Sequence, residues 1–395
     1  MNSSTLAIHT NKARFGTQAI FLVCGLGISS WAPMVPYVKD RLGLDESSIG
    51  LLLLFLGAGA ILMMPVTGWL ISKLGSRRVI LGATVVMSTA LPLLLLMNSP
   101  VTMALMLFLF GSGVGSVDVA MNAHGVQVQN LSDKPIMSSL HGLFSVGGLL
   151  GSLGIGFLIR SGLEPLWAAV AISCLLVILM LSQYKVLLDA DTEQQVMARF
   201  TTPPSETFRS KVSWLHGQVL FLGALCFASF LSEGAMLDWG AIFLRDTKGV
   251  EESLAGIGYA AFSVAMAVMR LLGDGIVSRI SSATVVIAGS LIGVAGFGLL
   301  IFSPWLVVTL AGFVLVGIGA ANIVPVFFSE GGRLRDVPSS VAIPAITTMG
   351  YAGQLAGPAI LGFLAQRTSL PTAFGFTGLL LFLVAVAYFV KSKKN

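Results

Sequence analysis

The chain has 395 residues, a formal net charge of +5, 55% apolar side chains, 45 glycines and only 10% charged residues, where soluble domains carry roughly 25%. That leaves too little hydrated surface for a soluble globule, and the long apolar runs exceed the roughly 20 residues that one crossing of a ~30 Å hydrocarbon core needs. Collagen-like, disordered and disulfide-framework classes are excluded, and the exterior is expected to face lipid.

Taken in chain order, residues 1–14 are polar, and the apolar run that follows them continues past Phe21 to Tyr37 with no small-residue cleavage pattern. It is expected to be a retained span rather than a secretory signal. Apolar stretches bounded by charge, Pro or Gly give six spans at 15–38, 47–72, 78–97, 101–124, 137–160 and 164–184. A polar segment with charges of both signs and a Pro-Pro pair, 185–212, reads as a cytoplasmic linker. Six more spans follow at 213–244, 253–273, 284–303, 305–329, 338–366 and 371–390. Only helices or closed barrels satisfy backbone hydrogen bonds in lipid, and these runs are too long and too evenly apolar for barrel strands. The expected fold is therefore all-α, with twelve transmembrane helices in two six-helix bundles, 1–184 and 213–395.

Positive residues tend to stay on the cytoplasmic side. With both termini there, 16 Lys and Arg fall in cytoplasmic segments and 6 on the opposite side, with Arg270 inside a span. The basic residues sit in short loops, so the net charge needs no nucleic acid to explain it. Cys24, Cys174 and Cys226 lie inside apolar segments without metal or redox spacing, and read as packing residues.

Shifting the sequence against itself exposes an internal repeat. Asp40, Gly43, Glu46, Ser47 and Gly50 recur as Asp246, Gly249, Glu252, Ser253 and Gly256, an offset of 206. The same offset carries Gly111 and Gly113 onto Gly317 and Gly319, and Gly147, Gly151, Gly156, Phe157 and Leu158 onto Gly353, Gly357, Gly362, Phe363 and Leu364. Duplicated helical bundles are a transporter architecture, with a solute site expected near mid-membrane. The glycines permit close approach of helices, either for packing alone or for sliding during a conformational change.

After the second span stands Gly68-Trp-Leu-Ile-Ser-Lys73-Leu-Gly75-Ser-Arg77-Arg78. This resembles the loop signature of the major facilitator superfamily, G-x-L-x-D-R-x-G-R-R, with Ser72 where that signature has an acid that helps latch the cytoplasmic ends. A degenerate second copy begins at Asp274 and continues through Ser278 and Arg279. Helix four carries Gly113-Val-Gly115-Ser-Val-Asp118-Val-Ala-Met-Asn122, which resembles a stretch of the fucose-permease-like branch that includes rhizopine-type transporters. The resemblance implies proton coupling for Asp118 and solute contact for Asn122. The branch's helix-one acid has no counterpart here.

Ionisable residues in mid-membrane usually face a cavity, a partner or a pathway because burying a charge there costs roughly 2.5–3.5 kcal/mol on insertion scales. Asp118, Glu233, Asp238 and Arg270 qualify. Asp118 and Asn122, spaced i,i+4, share a helix face. By the resemblance, helices one, four, seven and ten line a central cavity, so Asp118 and Glu233 form the expected proton-coupling pair, or Glu233 is a structural acid bonded to a neighbouring helix. Arg270 is expected to pair with Asp274, and Asp238 to cap or gate. Asn322 and Gln354 are further solute-binding candidates. Trp31 offers either a stacking plane for a solute or a belt or core side chain. His124 and His141 read as helix-end histidines or proton relays.

The expected function is secondary active transport of a small polar solute such as a sugar, polyol or amino sugar across a bacterial inner membrane by alternating access. The chain is expected to act as a monomer with protons as the possible coupling ion, and with no other cofactor, no metal and no nucleic-acid partner. An exporter of amphipathic compounds is the alternative, and a non-transporting receptor or scaffold the reading from another class. No P-loop, zincin or nucleophile-elbow string supports an enzyme.

Overall fold

The computed structural model describes residues 3–44, 46–132, 134–200, 215–251 and 256–393, and every regular element among them is helical. In chain order the helices are α1 (Ser3–Ser29), α2 (Val35–Leu42), α3 (Glu46–Leu74), α4 (Ser76–Leu94), α5 (Pro100–Ser132), α6 (Met137–Arg160) and α7 (Pro165–Tyr184). Helix α8 (Ala190–Phe200) lies within the segment expected to be a plain linker. Beyond it come α9 (Gly217–Lys248), α10 (Ile257–Val277), α11 (Ser282–Phe302), α12 (Leu306–Ala320), α13 (Ile323–Gly331), α14 (Ser339–Arg367) and α15 (Leu370–Ser392). Residues 213–214 of the seventh expected span, linker residues 201–212 and the repeat pair Glu252 and Ser253 lie outside the described residues.

Two expected spans are not single helices. The first stops at Ser29, and a 3₁₀ turn at Ala32–Met34 precedes α2; Pro33 has no N–H to continue the ladder. The tenth divides at Ala321 and Asn322 into α12 and α13. Pro325 is the cause, since its ring excludes the carbonyl four residues earlier, that of Ala321. Eleven segments among the described residues are long and apolar enough to cross a membrane. Helix α14 has the length, 29 residues, but its apolar run is broken by Ser339, Ser340, Thr347, Thr348 and Gln354. With it, twelve spanning segments flank the linker, six on each side. Large apolar side chains such as Phe15, Phe302 and Val307 stand exposed, as a lipid-facing exterior requires.

The chain forms two compact units: Met1–Asp133, Leu143–Trp214 and Gly332–Ala345, and then Lys134–Gly142, Leu215–Gly331 and Ile346–Asn395. Helices α6 and α14 are thus each divided between units. The first core is built on aliphatic and sulfur side chains, among them Met34, Met87, Leu91 and Leu107. The second is aromatic: Phe374 stacks on Phe243 at 4.7 Å and meets Phe297 edge-on at 5.9 Å.

The 206-residue offset is visible in contacts as well as in letters. Gly43 and Gly249 both end a helix in the left-handed region, at φ 61° and 67°. Glycine is favoured there because a Cβ would clash. A Cβ on Gly111 would collide with the carbonyl of Leu56, and one on Gly317 with that of Phe262. Gly113 lies against the amide of Met87, and Gly319 against that of Gly293. Arg41 donates to the Met97 carbonyl at 2.8 Å, and Lys248, one residue off the register, donates to the carbonyl of Ser303, the mate of Met97, at 2.7 Å. A cation therefore covers the unpaired carbonyls past α4 and past α11.

Candidate functional site

In the second unit, the half-buried Glu233 on α9 and the buried Arg270 on α10 form an ion pair. The Arg270 Nη2 lies 3.1 Å from Oε2 and 3.3 Å from Oε1. The Nε of Arg270 donates to the Ala321 carbonyl at 3.2 Å, the group that Pro325 displaces from the helical ladder. The break in the tenth span thus provides an acceptor for a buried guanidinium, satisfying a charge and an orphan carbonyl together. Asn322, the next residue, donates through Nδ2 to the Met269 carbonyl at 3.3 Å. Its Oδ1 is buried and has no hydrogen-bond partner among the described residues. Gly273 makes this placement possible, because a Cβ there would overlap Asn322 Oδ1.

Arg270 bonds to Glu233, a carboxylate that the expected pairing with Asp274 did not include, and the break beside Ala321 orients the guanidinium toward α9. Asp274 Oδ1 accepts the Ser139 N–H at 3.1 Å, at the start of α6, where a helix N-terminus favours an anion. His141, one turn further on in the same unit, stacks on Phe328 with ring centroids 5.6 Å apart. Gln354 is half-buried and passes Gly234 of α9, while Asp238 is exposed.

In the first unit, Asp118 and Asn122 lie on the continuously buried stretch of α5. Asn122 is fully buried, and its Nδ2 donates to the Asp118 carbonyl at 2.9 Å and to Oδ1 at 3.4 Å. Six residues before Asn122 on that helix, Ser116 accepts from Thr67 Oγ1 at 2.8 Å. Trp31 packs in the aliphatic core, only 3% exposed, with no hydrogen-bond partner for its Nε1 among the described residues. The turn after α1 directs the indole into the cluster around Met34 and Leu91.

The turn between α3 and α4 gathers the remaining candidates. Gly68 lies against Pro344 and the Ser340 carbonyl. Lys73 sits 4.1 Å over the Trp69 ring and Arg77 4.0 Å over the Tyr184 ring, while Arg78 is exposed. Gly75 turns the chain at φ 78°. Residues that the sequence reading passed over meet here too. Glu193 of α8 is buried, its Oε2 accepting the Ser76 N–H at 2.8 Å and its Oε1 2.7 Å from His124 Nδ1. Gln127 donates to Ser339 Oγ at 2.6 Å. The signal for Glu193 was present: Asp189-x-x-Thr192 opens a short helix on which Ala190, Glu193 and Val196 share a face.

Long apolar helices, a duplicated backbone and buried ionic and amide groups within both units define a polytopic membrane transporter of the secondary type. The chain belongs to the Major Facilitator Superfamily, which it matches over residues 19–330. The expectation drawn from the α3–α4 turn is thereby borne out, and the protein is a transporter rather than an enzyme. It is 45% identical to an uncharacterised MFS-type transporter of Yersinia pestis, over 94% of both chains. It is 31% identical to the membrane protein MosC of Rhizobium meliloti, over 97% of this chain and 90% of that one. Among solved structures, the proton:xylose symporter XylE bound to 6-bromo-6-deoxy-D-glucose superposes with a TM-score of 0.77 at 13% identity, covering 97% of this chain and 96% of that one.

Proposed function

We propose that this protein moves a small polar solute, of sugar, polyol or amino-sugar type, across a bacterial inner membrane by alternating access, as a monomer with both termini cytoplasmic, and that protons drive it through Asp118 and Glu233. The observation that carries the reading is the placement of one largely shielded carboxylate in each unit beside a group able to respond to it: Asn122 beside the buried Asp118, and Arg270 beside the half-buried Glu233. A carboxyl that passes between wet and dry surroundings takes up and releases a proton. Protonation of Glu233 removes an anion from Arg270, and that change of charge can be linked to solute arrival. The buried Oδ1 of Asn322 supplies an acceptor suited to a hydroxyl or ammonium group. The fold likeness to a proton:xylose symporter is compatible with this class of solute.

The test begins with a thermal-shift screen of the purified protein over sugars, polyols, amino sugars and lipophilic cations, since a ligand of the folded state raises the melting temperature by mass action. The strongest hit is then followed in proteoliposomes with an internal pH dye. Solute-dependent proton movement should disappear in Asp118→Asn and in Glu233→Gln. Uptake that ignores the pH gradient in wild type and both variants would reject the coupling, and a screen answered only by lipophilic cations would replace the solute class with that of an exporter.

A further inference from the structure

The two halves start their equivalent helices differently, and the difference involves the linker. Helix α11 is capped locally: Ser281 precedes it and its Oγ accepts the Thr284 N–H at 3.1 Å. Its repeat mate α4 begins after Gly75, 206 residues earlier, which has no side chain with which to cap. An uncapped start leaves amide N–H groups without partners, and a carboxylate there gains from both the hydrogen bond and the helix dipole. Glu193 of α8 occupies that position, 117 residues away in sequence, with its carboxylate on the Ser76 N–H.

The surroundings are built around this contact. Glu193 is 4% exposed and His124 of α5 is fully buried. Their 2.7 Å contact uses the second carboxylate oxygen, while His124 Nε2 faces the Leu188 N–H at 3.4 Å just ahead of α8. An imidazole that accepts at Nε2 donates at Nδ1, so Glu193 receives two N–H groups, as an ionised carboxylate does. Gly75 also lets α8 approach, because a Cβ on it would stand 2.7 Å from that of Ala190. Val196 and Leu187 bury the apolar side of the same segment.

We propose that the linker is a brace and not a tether: Glu193 is a positioning residue that supplies, from α8, the cap missing at the α3–α4 turn, and His124 holds its carboxylate in place. Docking of α8 and the order of the turn are then one event, so that release of the linker frays the start of α4 and loosens the turn that carries Lys73, Gly75, Arg77 and Arg78. This rests on the placement of the side chains within the first unit and stands whether or not the solute class above is right.

Hydrogen–deuterium exchange on the full chain in lipid nanodiscs tests it. Glu193→Gln keeps the shape of the side chain and the packing of α8 but loses the charge. Exchange at the Ser76 amide and across 187–199 should quicken together, by about tenfold or more, while the Thr284 amide stays at its wild-type rate. Glu193→Asp should restore part of the protection, and His124→Ala should raise exchange at the same two places. Ser281→Ala is the converse control and should quicken Thr284 alone. Wild-type exchange in Glu193→Gln, quickening at 187–199 with Ser76 unchanged, or an equal rise over the whole chain would each overturn the proposal.

Discussion

The first and second halves share a backbone plan but almost none of their chemistry. The 206 offset places Gly27 where the second half has Glu233, Met64 where it has Arg270, and Gly68 where it has Asp274. In the other direction, Val324 and Phe328 stand where the first half has Asp118 and Asn122. Close helix approaches survive duplication because a glycine against a carbonyl tolerates no substitute, whereas a buried charge survives only where function or a partner retains it. The sharpest instance is one pair of positions. In the first half Thr67 bonds to Ser116 at 2.8 Å; in the second their mates are Gly273 and Asn322, a missing side chain making room for a larger amide.

The largest effect is expected at the element present in one half alone. Arg270→Met leaves Glu233 without its guanidinium and the Ala321 carbonyl without its donor, a change that costs roughly 3–5 kcal/mol when one member of a buried pair is lost. A fall in melting temperature in detergent should register it. Adding Glu233→Gln should recover much of that loss, and a double variant no more stable than the single would break the asymmetry.

Gly273→Ala comes next, since overpacking costs about 1–3 kcal/mol; its Cβ would meet both Asn322 Oδ1 and the Ser138 Cβ, so adding Asn322→Ala should regain only part of the stability. Its mate Thr67→Ala only loses a side-chain hydrogen bond, on the order of 1 kcal/mol or less in a membrane bundle. Equal effects from Gly273→Ala and Thr67→Ala would mean that the two sites differ less than their side chains suggest.

An effect of similar, small size is expected in the linker, which has no mate in the repeat. Asp189 accepts the Thr192 N–H at 2.9 Å, and hydrogen bonds from that residue's side chain and backbone hold its carboxyl below the usual range. Its contribution is therefore present above the unfolded-state pKa and is lost as pH falls through the lower folded value. Asp189→Ala should cost about 1 kcal/mol as a lost cap and remove that acid-side dependence, which exchange protection across 187–199 measured against pH will report.

The spans were legible because lipid imposes a length and a polarity that local sequence must satisfy: α3, α6, α7 and α15 begin and end within three residues of their expected limits. The two broken spans escaped notice because proline in an apolar run signals a kink or a break, and tertiary acceptors decide which. Asp118 and Asn122 were placed on one face from their spacing. The bond from Arg270 to Glu233 was not, because i,i+4 spacing points to Asp274 while Glu233 lies 37 residues away. Trp31 could have stacked on a solute or filled a core, and only packing resolves that. Glu193 carried a short-helix signal, but its setting, a charged residue in a polar segment, argued against burial.

Amino-acid order alone determined that this protein crosses a membrane many times, that its halves are duplicated and that a handful of ionisable residues persist in apolar surroundings, because hydropathy, periodicity and repeat spacing are properties of the chain. The tertiary structure decided which of those residues meet. Burial forces each polar group to find a partner, and the nearest in space, as Glu193 with Ser76 and Glu233 with Arg270, need not be near in sequence.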